Sequence, residues 1–341
     1  MDMNSRRNFI KNTGLAVGSL AVLGTVGCKK QNRTMAELIK ACRGVHNFLT
    51  TPFKSNGNLD SEGFYKNVNF HADRHSKNMS IVVSCNLGEL FSLDLEEHQA
   101  LAQAAVSGAQ GKMPVIQGIA GGYKLSLQMA RNAEEAGVDA LMLFAPPHGS
   151  STAKGVLDYM YQVATSVRMG VFVNMVHGHQ SQPVAEYWVK VIEELSELPN
   201  VIGFQDSSRG TQVGHSLGSM IPDDFLWIAR GEKHATQALP MGARAYTAAV
   251  ACLVPKACYD FWEYGISGKI DKMQKVLQTQ IDPMSAVRSL RPGYSAAGIK
   301  VALETMGRAG GPTRPPMGQV LAEDRPRISE IARQYAEIES F

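Results

Sequence analysis

Between residues 45 and about 265 the chain repeats one unit, a short apolar run of strand character followed by an amphipathic stretch with helical spacing. The strand candidates are Val45–Phe53, Met79–Cys85, Met113–Ile119, Ala140–Pro146, Gly170–Val176, Val201–Ser207, Phe225–Gly231 and Ala245–Ala251. Between them lie stretches such as Asp94–Ser107, Leu125–Ala136 and Ala185–Leu195. Strands that alternate with helices build parallel β/α architecture. Eight such units in this span predict a closed (β/α)₈ TIM barrel, which typically takes about 250 residues, rather than an open sheet.

The flanks divide the rest of the chain. Residues 29–44 read as a polar tether and an N-terminal segment, 45–268 as the barrel, and 269–341 as a C-terminal helical extension with the loop "GRAGGPTRPP" inside it. Residues 1–28 have the order of a secretory signal: the basic "SRRNFIK", the apolar run Leu15–Val26, then "GTVGCKK". The apolar run is too short for a stable membrane span. Its paired arginines resemble a twin-arginine signal, which carries folded proteins. "TVGC" resembles a lipoprotein cleavage box with Thr25 where Leu is usual, so Cys28 is expected to carry a lipid anchor. The expected location is the periplasm or cell envelope.

Charge narrows the partners. The formal +3 is largely the leader's, because residues 1–27 hold three of the 34 basic and one of the 31 acidic side chains. The remaining chain is near neutral and has no electrostatic footprint for nucleic acid. The cysteines are Cys28, Cys42, Cys85, Cys252 and Cys258, and no two form a CxxC pair that would suggest a zinc ribbon or redox motif.

In a parallel barrel the working residues sit at the C-terminal strand ends and in the loops that follow. Those tips are Thr50, Thr51 and Pro52; "CNLGE" at Cys85–Glu89; "APPHG" at Ala145–Gly149; "NMVHGH" at Asn174–His179; Gln205 and Asp206; and "GEKH" at Gly231–His234.

Taken together, these tips resemble the dihydrodipicolinate synthase and N-acetylneuraminate lyase family of class I aldolase-type barrels, over residues 45 to about 325. "TTPFKSNGNLD" is similar to the family's opening T-P-F with its downstream glycine and aspartate. "CNLGELFSLDLEEH" stands where the family has G-T-T-G-E, "VFVNM" where it has Y-N-x-P, and "VIGFQDSS" where it has I-G-I-K-D-S. "VIQGIAGG", "AGVDALML" and "GIKVALETMGRAGGPTRPPM" match the third strand, the fourth strand and the C-terminal helix with its Arg-Pro loop.

The resemblance implies Schiff-base chemistry, in which a lysine on the sixth strand attacks a 2-oxo acid while a tyrosine on the fifth shuttles protons. Position by position, that lysine becomes Gln205 and the tyrosine Val173. The threonine pair that holds the substrate carboxylate becomes Asn86 and Leu87, the aromatic pair Pro147 and His148, and the basic residue after the fifth strand Gly178. An amide nitrogen cannot act as the imine-forming nucleophile, so the usual mechanism is not expected.

The replacements are left to other groups. A period of two places Val171, Val173, Met175, His177 and His179 on one face of the fifth strand and its extension, with His148 at the tip of the fourth. His148, His177 and His179 are the candidates for acid–base catalysis. With Glu89 or Asp206 they would also suit a divalent metal, although the resemblance requires no cofactor. Gln205, Asn86, Asn174, Thr51, Asp206 and Glu89 are the candidate substrate-binding residues, and the first two suit a sugar-like ligand. Glu89 also reads as a cap for the following helix, Cys85 as a small buried hydrophobe, and Arg314 as a brace for the C-terminal helices. Lys233 is either a relocated nucleophile or a solvated loop lysine. The expected function is an exported lyase or hydratase acting on a small oxo acid or sugar derivative without an imine, homo-oligomeric like its relatives. The alternatives are a non-catalytic envelope binding protein and a Schiff-base aldolase that uses Lys233.

Overall fold

A computed structural model describes residues 33–145, 152–175, 184–207, 211–218, 220–222 and 224–339. Eight strands, β1 (Gly44–Phe48), β2 (Met79–Val83), β3 (Val115–Ile119), β4 (Ala140–Phe144), β5 (Gly170–Asn174), β6 (Val201–Asp206), β7 (Leu226–Arg230) and β8 (Ala245–Ala248), pair in parallel in chain order. β1 then pairs with β8 and closes the barrel. Buried on both faces, the strands are near-continuous apolar runs, as parallel strands must be when helices cover them outside and side chains fill them inside.

Helices α1 (Met35–Ala41), α2 (Ser61–Arg74), α3 (Leu95–Ala109), α4 (Tyr123–Ala136), α5 (Ala153–Thr165), α6 (Val184–Ser196), α7 (Gln212–Leu217), α8 (Gly231–Ala238) and α9 (Pro255–Ile266) accompany the strands. α10 (Ile270–Val276), α11 (Asp282–Arg288), α12 (Tyr294–Thr305) and α13 (Arg325–Glu339) form the C-terminal extension. Local chemistry sets several helix starts. Asp94 and Glu97 make a reciprocal capping box at α3, Thr34 and Glu37 another at α1, and the side chains of Asp60 and Thr152 cap α2 and α5.

The observed strands stop short of several expected ends. β1 leaves the ladder after Phe48, so Thr50, Thr51 and Pro52 belong to the loop, where Phe53 makes an antiparallel bridge with Leu59. The N-terminal segment is also more ordered than a tether. Arg33 donates to Asp139 at 2.9 Å and to the carbonyl of Gly111 at 2.6 Å, and α1 buries Leu38 and Ile39. Gly203, the glycine inside "VIGFQDSS", answers a steric need: a Cβ there would lie 2.4 Å from the carbonyl oxygen of Leu226.

The C-terminal extension is locked to the barrel by a buried ionic network. Lys300 of α12 donates to Glu89 and, at 2.8 Å, to the carbonyl of Pro312. Glu89 also accepts the backbone N–H of Arg314 at 2.8 Å. The Arg314 guanidinium makes a two-pronged contact with Glu97 at 2.5 and 2.6 Å, bonds the carbonyls of Gly57 and Ser92, and lies 4.0 Å over the Phe53 ring. Arg314 therefore joins the C-terminal loop, the β1 loop and α3.

Candidate functional site

A cavity of about 390 Å³ opens at the C-terminal ends of the strands. Phe48, Leu87, Phe144 and Met317 give it apolar walls, and Asn86, Asn174, Gln205, Ser207, Thr247 and Ser295 add neutral polar groups. Its charged lining comes from Arg230 at the end of β7, Glu232 in the first turn of α8, and Arg288 at the end of α11.

Gln205 and Asn174 occupy adjacent strands in direct register. Both are buried, and the Asn174 amide donates to Gln205 Oε1 at 2.9 Å, while Gln205 Nε2 donates to Ser207 Oγ at 3.4 Å. Arg288 is held by Ser295, whose carbonyl and hydroxyl accept two of its N–H groups. Thr247 accepts the backbone N–H of Gly231, which fixes the turn from β7 into α8. Burial raises the carboxyl pKa of Glu232, and the Arg288 charge opposes that rise.

The cavity thus brings together Gln205, Asn174 and Asn86. It does not gather the other expected binding residues. Asp206 cannot share the cup with Gln205, because neighbours on a strand point to opposite faces. It turns outward instead, where Oδ2 accepts the Gly214 N–H at 3.3 Å and lies 3.9 Å from His234 Nε2. Thr51 donates its hydroxyl to the carbonyl of Gly88 at 2.7 Å and is buried in the loop. Glu89 is not among the residues that line the cavity and does not cap α3; Asp94 makes that cap, and both Glu89 oxygens are engaged by Lys300 and Arg314. Lys233 is exposed on α8 and does not line the cavity. Cys85 is buried, and burial raises its thiol pKa far from thiolate chemistry.

His148, His177 and His179 lie outside the described residues. Among the described residues no three His, Cys, Asp or Glu side chains are grouped to hold a metal ion.

Several lining residues were not singled out from the sequence, among them Glu232, Arg230, Arg288 and Met317. Glu232 and Arg230 stand in or beside the "GEKH" tip and were within reach of it. Arg288 and Met317 come from the C-terminal extension and carry no local signal, because folding alone brings the extension to the barrel mouth.

The chain matches the Dihydrodipicolinate synthetase family over residues 41–335. It is 26% identical over 303 residues to a probable 5-dehydro-4-deoxyglucarate dehydratase of Bacillus licheniformis, covering 88% of this chain and 96% of the relative. A protein of the same name from Streptomyces avermitilis, the second of its kind there, is 28% identical over 292 residues, covering 85% of this chain and 86% of the relative. The fold is similar to that of dihydrodipicolinate synthase from Bacillus clausii, with a TM-score of 0.78, 24% identity, and coverage of 87% of this chain and 99% of that one. It is also similar to sialic acid aldolase of Ruminococcus gnavus, with a TM-score of 0.79, 19% identity, and coverage of 88% of this chain and 99% of the other. With a closed eight-stranded barrel, its mouth cavity and a match that spans the barrel and the C-terminal helices, the chain belongs to the Dihydrodipicolinate synthetase family.

Proposed function

We propose that this protein is a dehydratase-type lyase that acts on a small hydroxylated carboxylic acid without a lysine Schiff base. The observation that carries this reading is Gln205, buried at the end of β6 and facing the cavity in partnership with Asn174. No lysine is among the described residues that line the cavity. The internal stretches outside the described residues, 146–151, 176–183, 208–210, 219 and 223, contain none in their sequence. Arg230 and Arg288 supply the fork-shaped donors that suit carboxylates, and the polar amides and hydroxyls suit a polyol chain. The curated relatives named as probable 5-dehydro-4-deoxyglucarate dehydratases support an acidic sugar as substrate. His148, His177 and His179, which follow β4 and β5 in the sequence, would supply acid–base or ligand chemistry; loss of turnover in His177→Ala with ligand binding intact would support the catalytic role.

Borohydride treatment of the purified protein with pyruvate and other 2-oxo acids, read by intact mass, should give no adduct where a lysine-dependent family member gives one. A stable adduct would restore the imine mechanism. Incubation with 5-dehydro-4-deoxyglucarate should produce loss of water, and tight binding without turnover would instead make the chain a binding protein.

The same reading places the mature protein in the cell envelope as a homo-oligomer, exported by the twin-arginine route and anchored through Cys28. Its support is the order "SRRNFIK", apolar run, "TVGC". Replacing both arginines (Arg6→Lys with Arg7→Lys) should leave precursor in the cytoplasm, and normal export would refute the route. A Cys28→Ser variant should lose the lipid mass and detergent partitioning, and sedimentation gives the oligomeric state.

A further inference from the structure

Glu232 differs from every other described residue lining the cavity. The amides of Asn86, Asn174 and Gln205 and the hydroxyls of Ser207, Thr247 and Ser295 are neutral hydrogen-bonding groups, and Arg230 and Arg288 present donors only. Glu232 alone in that lining is a group able to exchange a proton near neutral pH. It is more than nine-tenths buried, and its Oε1 has no hydrogen-bond partner among the described residues. Buried structural carboxylates collect donors, so this carboxyl is not held as a fully satisfied anion.

Its surroundings point the same way. Arg288 and Asp282 approach from α11, Tyr246 from β8, Cys252 from the turn after β8, Cys258 from α9 and Tyr335 from α13. Burial raises the pKa of the tyrosines and cysteines, so they stay neutral. Arg288 is the one positive charge among these neighbours, and it is itself a cavity residue. A ligand carboxylate taken by Arg288 would therefore change the electrostatic balance at Glu232 at the moment of binding.

We propose that Glu232 is a proton-transfer residue of the dehydration, an assignment that rests on the dehydratase reading above. The substrate is a carboxylic acid with a hydroxyl on the carbon next to one that bears an acidic C–H. One oxygen of the Glu232 carboxyl gives its proton to the hydroxyl, the C–O bond breaks with its electron pair on oxygen, and water leaves. The C–H electron pair forms the new C=C bond, and the released proton goes to the other carboxyl oxygen. Glu232 ends in its starting state, and neither oxidant nor metal enters the balance.

The test compares the full chain with its Glu232→Gln and Glu232→Asp variants. Turnover of 5-dehydro-4-deoxyglucarate is followed across pH. Titration calorimetry with D-glucarate, in buffers of different ionisation enthalpy, counts the protons taken up on binding. The unaltered protein should take up protons on binding this dianion. Glu232→Gln should abolish the uptake and lower kcat by about 100-fold or more, with KM little changed. Glu232→Asp should keep the uptake and recover part of kcat, which a merely structural role would not produce. A glutamine variant with ordinary kcat, or one that still takes up the protons, overturns the assignment and leaves the dehydratase reading standing. An unaltered protein that dehydrates nothing removes that reading and the assignment with it.

Discussion

Asn174 donates its amide to Gln205 Oε1 at 2.9 Å, joining β5 to β6 at the cavity wall. Two amide side chains thereby fix each other's orientation where the family resemblance implies a lysine nucleophile. Asn174→Leu would leave a buried acceptor without its donor, at a cost of about 1–3 kcal/mol. Titration calorimetry with D-glucarate should show weakened binding in this variant, while its circular dichroism stays that of the folded barrel. Unchanged affinity would mean that the pair does not set the ligand site.

The Lys300–Glu89 pair is buried on both sides. Lys300→Met would strand a carboxylate in the interior, and one-sided removal of a buried pair costs about 3–5 kcal/mol. Urea denaturation should show that loss, with substantial recovery in the Lys300→Met, Glu89→Gln double variant. Arg314 would still donate its backbone N–H to residue 89 there, so the recovery tests the charge rather than the loop contact.

Acid stability should depend on buried histidines, among them His46 and His98. Burial pushes the pKa of His46 and His98 down to about 4. In the unfolded chain each titrates near 6.5, so below that pH the unfolded state takes up protons that the fold refuses. Stability is therefore full above about pH 6.5 and falls as the pH drops toward 4, by at most about 3 kcal/mol for each residue. His98 is satisfied as a neutral ring between the carbonyl of Gly118 and the amide of Gln117. Urea midpoints measured from pH 7 to 4 should decline, and less steeply in His98→Gln; a flat profile would refute the assignment.

Gly203 is a steric requirement of the barrel. Gly203→Ala would press a methyl group against the Leu226 backbone at 2.4 Å and separate β6 from β7, at a cost of about 1–3 kcal/mol. Because Gln205 lies two residues further along the same strand, D-glucarate affinity should fall together with the denaturation midpoint. A variant as stable as the parent would show that the sheet can give way there.

The barrel was legible because its physics is local and repeated. Parallel strands covered on both faces must be apolar throughout, and their helices must carry an apolar stripe, so eight alternations could be counted along the chain. The placement of Gln205 and Asn174 at the barrel mouth was legible for the same reason, since the C-terminal strand ends of such a barrel open there. Asp206 and Glu89 were misplaced because sequence order alone does not say which face a tip residue joins, or which distant cation claims it.

The sequence by itself determined the strand–helix rhythm, the neutral residue at the end of β6, and a first stretch, residues 1–27, whose three basic and one acidic side chains account for most of the net charge. Only the tertiary structure decided that Arg288 and Met317 reach the cavity, that Lys300 neutralises Glu89 across 211 residues of chain, and that Glu232 sits buried beside an arginine. The division has one physical reason. Backbone pairing and apolar periodicity act over a few residues, whereas desolvation and charge pairing depend on which surfaces the closed barrel and its C-terminal helices bring together.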